Sequence, residues 1–193
     1  MNRRTLPTVG SFSKEIKKRM KGMAAVIDVF LLLILLICVI TDMKSRKIYN
    51  KVIYPSLILA FSFHVAAAGW AGFSHAFLGF LIGFALLLIP YFLGGMGAGD
   101  VKLLALIGAL KGGEFVFQSF FYIAIVGAVM AIIILLVRRG VLKSVLYYAA
   151  SLMNGIRLPG GISRGSLTAT YPYGVAIAAG VVLCLFQTGW HVL

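Results

Sequence analysis

Asp42 and Asp100 are the residues of this sequence best placed to do chemistry. The chain has only five acidic residues, so each can be weighed singly: Glu15, Asp28, Asp42, Asp100 and Glu114. Two carboxylates that approach each other can share a proton and act as general acid and base on one water. Asp42 closes a long apolar run, and Asp100 follows the glycine-rich stretch Gly94-Gly95-Met96-Gly97-Ala98-Gly99. An ionisable residue beside a membrane segment is a functional candidate in its own right. The other three acids have no partner of that kind. Asp28 lies 14 residues before Asp42 on the same expected helix and reads as a polar anchor at the opposite face. Glu15 sits among lysines, and Glu114 sits in a turn after Lys111-Gly112-Gly113.

Other chemistries lack their residues. Cys38 and Cys184 lie inside apolar runs without CxxC spacing, so neither a disulfide framework nor a zinc site is supported. His64, His75 and His191 are scattered and form no ligand cluster, and His64 reads as a helix-packing residue. We therefore expect no metal and no cofactor.

The elements that must position the two aspartates follow from composition. Hydrophobic residues make up 61% of the 193 residues, charged residues 12%, and the mean hydropathy is +1.02. Soluble domains are near 45–50% apolar and about 25% charged, so a soluble domain and a disordered chain are both excluded. The expected fold is all-α: a polytopic membrane protein of about six transmembrane helices. The spans are Ala24–Ile40, Val52–Ala68, Phe77–Leu93, Val101–Leu110, Phe115–Val137 and Gly174–Thr188. The fourth is short for a bilayer, which implies tilt, thin lipid or a wet cavity at its glycine-rich entrance. Between spans 5 and 6, Val141, Val145, Tyr148, Leu152 and Ile156 recur at helical spacing, as in an amphipathic interfacial helix. Residues 1–23 form a basic N-terminal segment, and residues 24–193 form the membrane-embedded domain.

Alternate spans run in opposite directions. The end of span 1 and the start of span 4 therefore share a face, which brings Asp42 and Asp100 to similar depth. The loops on that face, with their flanks, carry ten Lys/Arg, including Arg46 and Lys102; the opposite loops carry only Lys111. By the positive-inside rule this face is cytoplasmic. The seven Lys/Arg of the N-terminal segment fall on the other side and conflict with it. A true start at Met20 or Met23 is one hypothesis that removes most of the conflict; N-terminal sequencing that found Met1 in the mature protein would sink it. The net charge of +13 is read as topology and contact with anionic lipid. Nucleic-acid binding is not expected, since no docking motif accompanies the charge.

The residues around both aspartates resemble a known family. Gly97-Ala98-Gly99-Asp100 resembles the GxGD signature of intramembrane aspartyl proteases. With Lys102 two residues on, it is similar to the type IV prepilin peptidase family. Asp42-Met43-Lys44-Ser45-Arg46-Lys47-Ile48-Tyr49-Asn50 resembles that family's acidic residue followed by a basic stretch and Ile-Pro-Asn, with Tyr49 in place of proline. Tyr171-Pro172-Tyr173-Gly174 is similar to its entry to the last span. The larger members carry paired CxxC motifs associated with N-methylation. This sequence has none, so it resembles the short Tad/Flp, CpaA-like branch, and methyltransferase activity is not supported.

The resemblance implies a multi-pass endopeptidase of the bacterial inner membrane. It would remove the leader of Flp-type prepilins or pilin-like proteins on the cytoplasmic side. Asp42 and Asp100 would be the catalytic pair. Gly97, Gly99, Lys102, Arg46 and Asn50 would serve substrate binding. The expected partners are the prepilin and membrane lipid, and Lys44, Arg46 and Lys47 are read as meeting lipid phosphate before any acidic group of the substrate. The sequence leaves the oligomeric state open. Two other readings stand beside this one. A small ion-coupled transporter could use the same aspartates, although it would place its site nearer the midplane with repeat symmetry. A non-catalytic scaffold could use its glycines for helix packing. Taken by itself, the glycine-rich break also reads as a simple turn between two spans.

Overall fold

The computed structural model describes residues 9–45, 48–137 and 173–188. Residues 138–172, where the interfacial helix is expected, and residue Arg46 lie outside the described residues. All described regular structure is α-helical: α1 (Val9–Ser45), α2 (Asn50–Phe92), α3 (Ala98–Lys111), α4 (Gly113–Val137) and α5 (Tyr173–Gln187). Among the described residues, three helices are long and apolar enough to cross a membrane: Gly22–Ser45 within α1, all of α2, and Gly113–Ile133 within α4. α1 runs unbroken through residue 23, so the basic segment continues into the first apolar run as one helix.

The 43 residues of α2 form a hairpin. Ala68 and Gly69 leave helical geometry, and Gly69 takes a φ of 58°, a left-handed value that glycine adopts without penalty. Phe61 and Phe80 would stand about 28 Å apart along a straight helix, yet their ring centroids are 6.3 Å apart. The first arm (50–67) and second arm (70–92) therefore run antiparallel. The sequence places a loop between the expected spans 2 and 3, but the turn needs only two residues, and helix resumes at Trp70.

α3 is the buried centre. Ten of its 14 residues are buried, including every residue from Leu103 to Leu110. A helix that is apolar all round must be covered on all sides. Here the cover is protein: chiefly α2, with α4, α1 and α5 closing the remainder. The shortness of α3 is thus accompanied by cover from neighbouring helices along its length. By contrast Val26, Val29, Leu33, Leu36 and Ile40 of α1 are exposed. They form a stripe that lipid would cover and water would not tolerate.

Close backbone approach seats α3 on the second arm of α2. A Cβ on Gly79 would lie 2.0 Å from the Gly108 carbonyl oxygen, and a Cβ on Gly108 would lie 2.0 Å from the Gly79 carbonyl oxygen. Gly83 faces the Leu104 carbonyl oxygen in the same way, at 2.5 Å. Small residues spaced in this manner let helices meet at backbone distance. Gly108→Ala would normally favour a helix by up to about 1 kcal/mol. Here the two backbones must part, and we expect a net loss of about 1–3 kcal/mol. Thermal melting in lipid nanodiscs checks this; a variant melting at or above wild type would contradict the packing described.

Candidate functional site

The two aspartates come from separate helices. Asp42 lies in the last turn of α1, and Asp100 in the first turn of α3. Their exposures are 7% and 8%, so both carboxylates are withdrawn from solvent. The sequence expectation that they share one end of the bundle is met. Gly99 packs on Ile48, just beyond α1, such that a Cβ on Gly99 would sit 2.9 Å from the Ile48 Cβ. The two carboxylates lie within electrostatic reach of each other, and Cys38 lies within reach of both.

Each carboxylate is held by one backbone amide. The Gly97 N–H donates to Asp100 Oδ2 at 3.2 Å, and the Gly174 N–H donates to Asp42 Oδ2 at 2.9 Å. Gly97 is the N-cap of α3, so its link to Asp100 is half of a capping box. The second link spans 132 residues of sequence and brings the first turn of α5 into the site. Gly174 has no room for a side chain: a Cβ there would lie 2.8 Å from Asp42 Oδ2. Its neighbour Tyr173 is within electrostatic reach of Asp100, and its hydroxyl lies 3.4 Å from the Cβ position of Gly127 on α4. Tyr173 and Gly174 were not among the expected site residues. Their signal was Tyr171-Pro172-Tyr173-Gly174, read as the entry to a span.

The other expected site residues divide by place. Gly97 holds Asp100 through its amide, and Gly99 makes room for Ile48. Lys102 and Asn50 are brought together: Lys102 Nζ donates to Asn50 Oδ1 at 3.1 Å and to the Tyr54 hydroxyl at 3.4 Å. Lys102 also lies over the Tyr54 ring, 5.4 Å from its centroid. This exposed cluster ties the start of α2 to the first turn of α3, beside the aspartates. Exposed polar contacts of this kind contribute little stability. Lys102→Met is therefore expected to change stability by less than about 1 kcal/mol, as read by thermal melting. A loss of several times that amount would make Lys102 a structural post.

Asp28 is not an interfacial anchor. It is fully buried and forms an ion pair with Lys111, the last residue of α3. It stands at the far end of the face of α1 that also buries Leu31, Leu35, Cys38 and Asp42. His64 packs as expected, with its Nε2 3.1 Å from the Leu110 carbonyl oxygen. Among the described residues, no group of three or more His, Cys, Asp or Glu side chains is arranged to hold a metal ion.

A sequence profile of the type IV leader peptidase family matches residues 29–132, a stretch that includes Asp42, Asp100 and the glycines between them. The chain belongs to the type IV leader peptidase family. It is also similar to the prepilin leader peptidase/N-methyltransferase of Bacillus subtilis (strain 168), with 29% identity over 153 residues. That alignment covers 78% of this chain and 51% of the relative, so the chain spans about half the relative's length. No solved structure matches. The geometry above places two buried carboxylates on different helices at one end of the bundle, with a lysine–asparagine–tyrosine cluster near them.

Proposed function

We propose that this chain is a membrane-embedded aspartic endopeptidase that removes the leader from Flp-type prepilins or pilin-like proteins. The observation that carries the proposal is that Asp42 and Asp100 lie within electrostatic reach of each other, each buried and each accepting from a glycine amide. One carboxylate would take a proton from the attacking water while the other, protonated, polarises the scissile carbonyl. On collapse of the tetrahedral intermediate, the amine leaves with a proton from the pair. Carboxylates coupled in this way titrate together, so their protonation belongs to the pair. The two glycine amides matter because each holds one oxygen of its carboxylate in place.

The same reading gives six crossing segments: α1, the two arms of α2, α3, α4 and α5. The end bearing Asp42 and Asp100 faces the cytoplasm of a bacterial cell, in its inner membrane. A prepilin's apolar helix would approach from the lipid, with its basic leader on the cytoplasmic side. Lys102 and Asn50 would meet the backbone or polar groups near the cut. The methyl-transfer activity in the relative's name is not carried over. The only two cysteines, Cys38 and Cys184, are both buried within helices and form no CxxC pair.

Purified chain in lipid nanodiscs, mixed with a full-length Flp-type prepilin, tests this reading. We expect cleavage that persists in excess chelator and adds no methyl group to the new N-terminus. Cleavage abolished by chelation and restored by a metal would overturn the aspartic assignment. Failure to cleave any of several prepilins would overturn the substrate assignment.

A further inference from the structure

The pair Asp28–Lys111 lies at the opposite end of α1 and α3 from the two site aspartates. α1 and α3 run antiparallel, so the helices are joined at both ends. At one end Ile48 rests on Gly99 beside Asp42 and Asp100. At the other end Lys111 Nζ meets Asp28 Oδ1. Fourteen residues separate Asp28 from Asp42, a rise of about 21 Å along α1. Eleven separate Asp100 from Lys111, a rise of about 16 Å along α3. The shortfall of about 5 Å falls where the four-carbon stem of a lysine can fill it.

Between these ends α1 and α3 share apolar core packing, which is not directional. The height of α3 on α2 is fixed by the Gly79–Gly108 contact and by the bond from His64 to Leu110. α1 packs mainly on α5 and touches α3 along a narrow strip. The polar pair is costly to bury, and the second Asp28 oxygen has no hydrogen-bond partner among the described residues. A pair retained at that cost, and bonded through only one oxygen, fits a registry role better than a stability role. Lys111 also complements the C-terminal end of the α3 dipole, as Asp100 complements its N-terminal end.

We propose that Asp28–Lys111 is an axial register stop. It sets the height of α1 against α3, and so brings Asp42 level with Asp100. Both are positioning residues that act through the aspartate pair. The proposal rests on Asp42 and Asp100 being the reacting groups.

The test replaces the ion pair by an apolar one, Asp28→Leu with Lys111→Met, in the full chain in nanodiscs. Such replacements commonly preserve folding, and thermal melting verifies it. We expect kcat on prepilin to fall about 100-fold, the cost of misplacing reacting groups by about an ångström, with KM near wild type. The reversed pair, Asp28→Lys with Lys111→Asp, is expected to restore most of the rate. Where the apolar pair does not fold, Asp28→Asn with Lys111→Gln takes its place with the same readouts.

A second readout needs no catalysis. In a chain carrying Cys38→Ala and Cys184→Ala, Asp42→Cys and Asp100→Cys are bridged by bis-methanethiosulfonate linkers of graded length. The native ion pair is expected to give one preferred length, and the apolar pair a shifted or broadened preference. A folded apolar variant with wild-type kcat and an unchanged linker preference overturns the proposal. Should the wild-type chain fail to cleave prepilin, or cleave unimpaired after Asp42→Asn or Asp100→Asn, the enzymatic reading falls; the linker preference then decides the register on its own.

Discussion

Asp100→Asn is expected to lower leader cleavage by about 10³-fold or more, and Asp42→Asn by a similar factor. The substitution is nearly isosteric. The asparagine oxygen can still accept the Gly97 or Gly174 amide, so the fold should survive. What disappears is the exchangeable proton. The one carboxyl that remains can serve as base or as acid, but no partner is left to take the other role. Because the groups act as a unit, the double variant should be hardly slower than either single one. Initial-rate measurements at matched membrane abundance, with melting curves for all three variants, check both points. A variant that cleaves within tenfold of wild type would remove that aspartate from the mechanism. Losses that multiply would mean the two groups act in separate steps.

The second large effect concerns a residue with no side chain. Gly174→Ala places a methyl group 2.8 Å from Asp42 Oδ2 and 3.2 Å from its Cγ. The obstructed atoms are the end of a side chain, so the variant can fold by rotating the Asp42 carboxylate. The hydrogen bond that the Gly174 N–H donates to Asp42 Oδ2, 2.9 Å in the native chain, is then stretched or broken. We expect activity to fall about 100-fold through misplacement of Asp42, with a stability change within about 1 kcal/mol. Parallel cleavage and melting measurements separate the two. Full activity would show that the α5 amide does not set the Asp42 geometry.

The sequence made much of this site legible. Apolar runs gave the helices, and alternation of direction placed the end of the first beside the start of the fourth. That logic brings Asp42 and Asp100 together without any knowledge of packing. The hairpin was partly hidden, because Trp70-Ala71-Gly72-Phe73 reads as a loop but is helical once Gly69 has turned the chain. Tyr173 and Gly174 were missed as site residues because they contribute a backbone donor and close approach, which side-chain patterns do not display. Asp28 does lie at the other end of α1 from Asp42, as its distance implies; its burial and its partner were not legible, because the partner is a lysine 83 residues away. The expected role for Arg46 and the interfacial helix expected to carry Val141 to Ile156 lie outside the described residues.

The most direct measurement is the intact mass of an Flp-type pilin recovered from membranes that also contain the wild-type chain, Asp42→Asn or Asp100→Asn at equal abundance. The account predicts a mass shorter by the leader with wild type, and the full prepilin mass with each variant. Leader removal by either variant at the wild-type level would contradict the two-aspartate site and return the transporter and scaffold readings to first place.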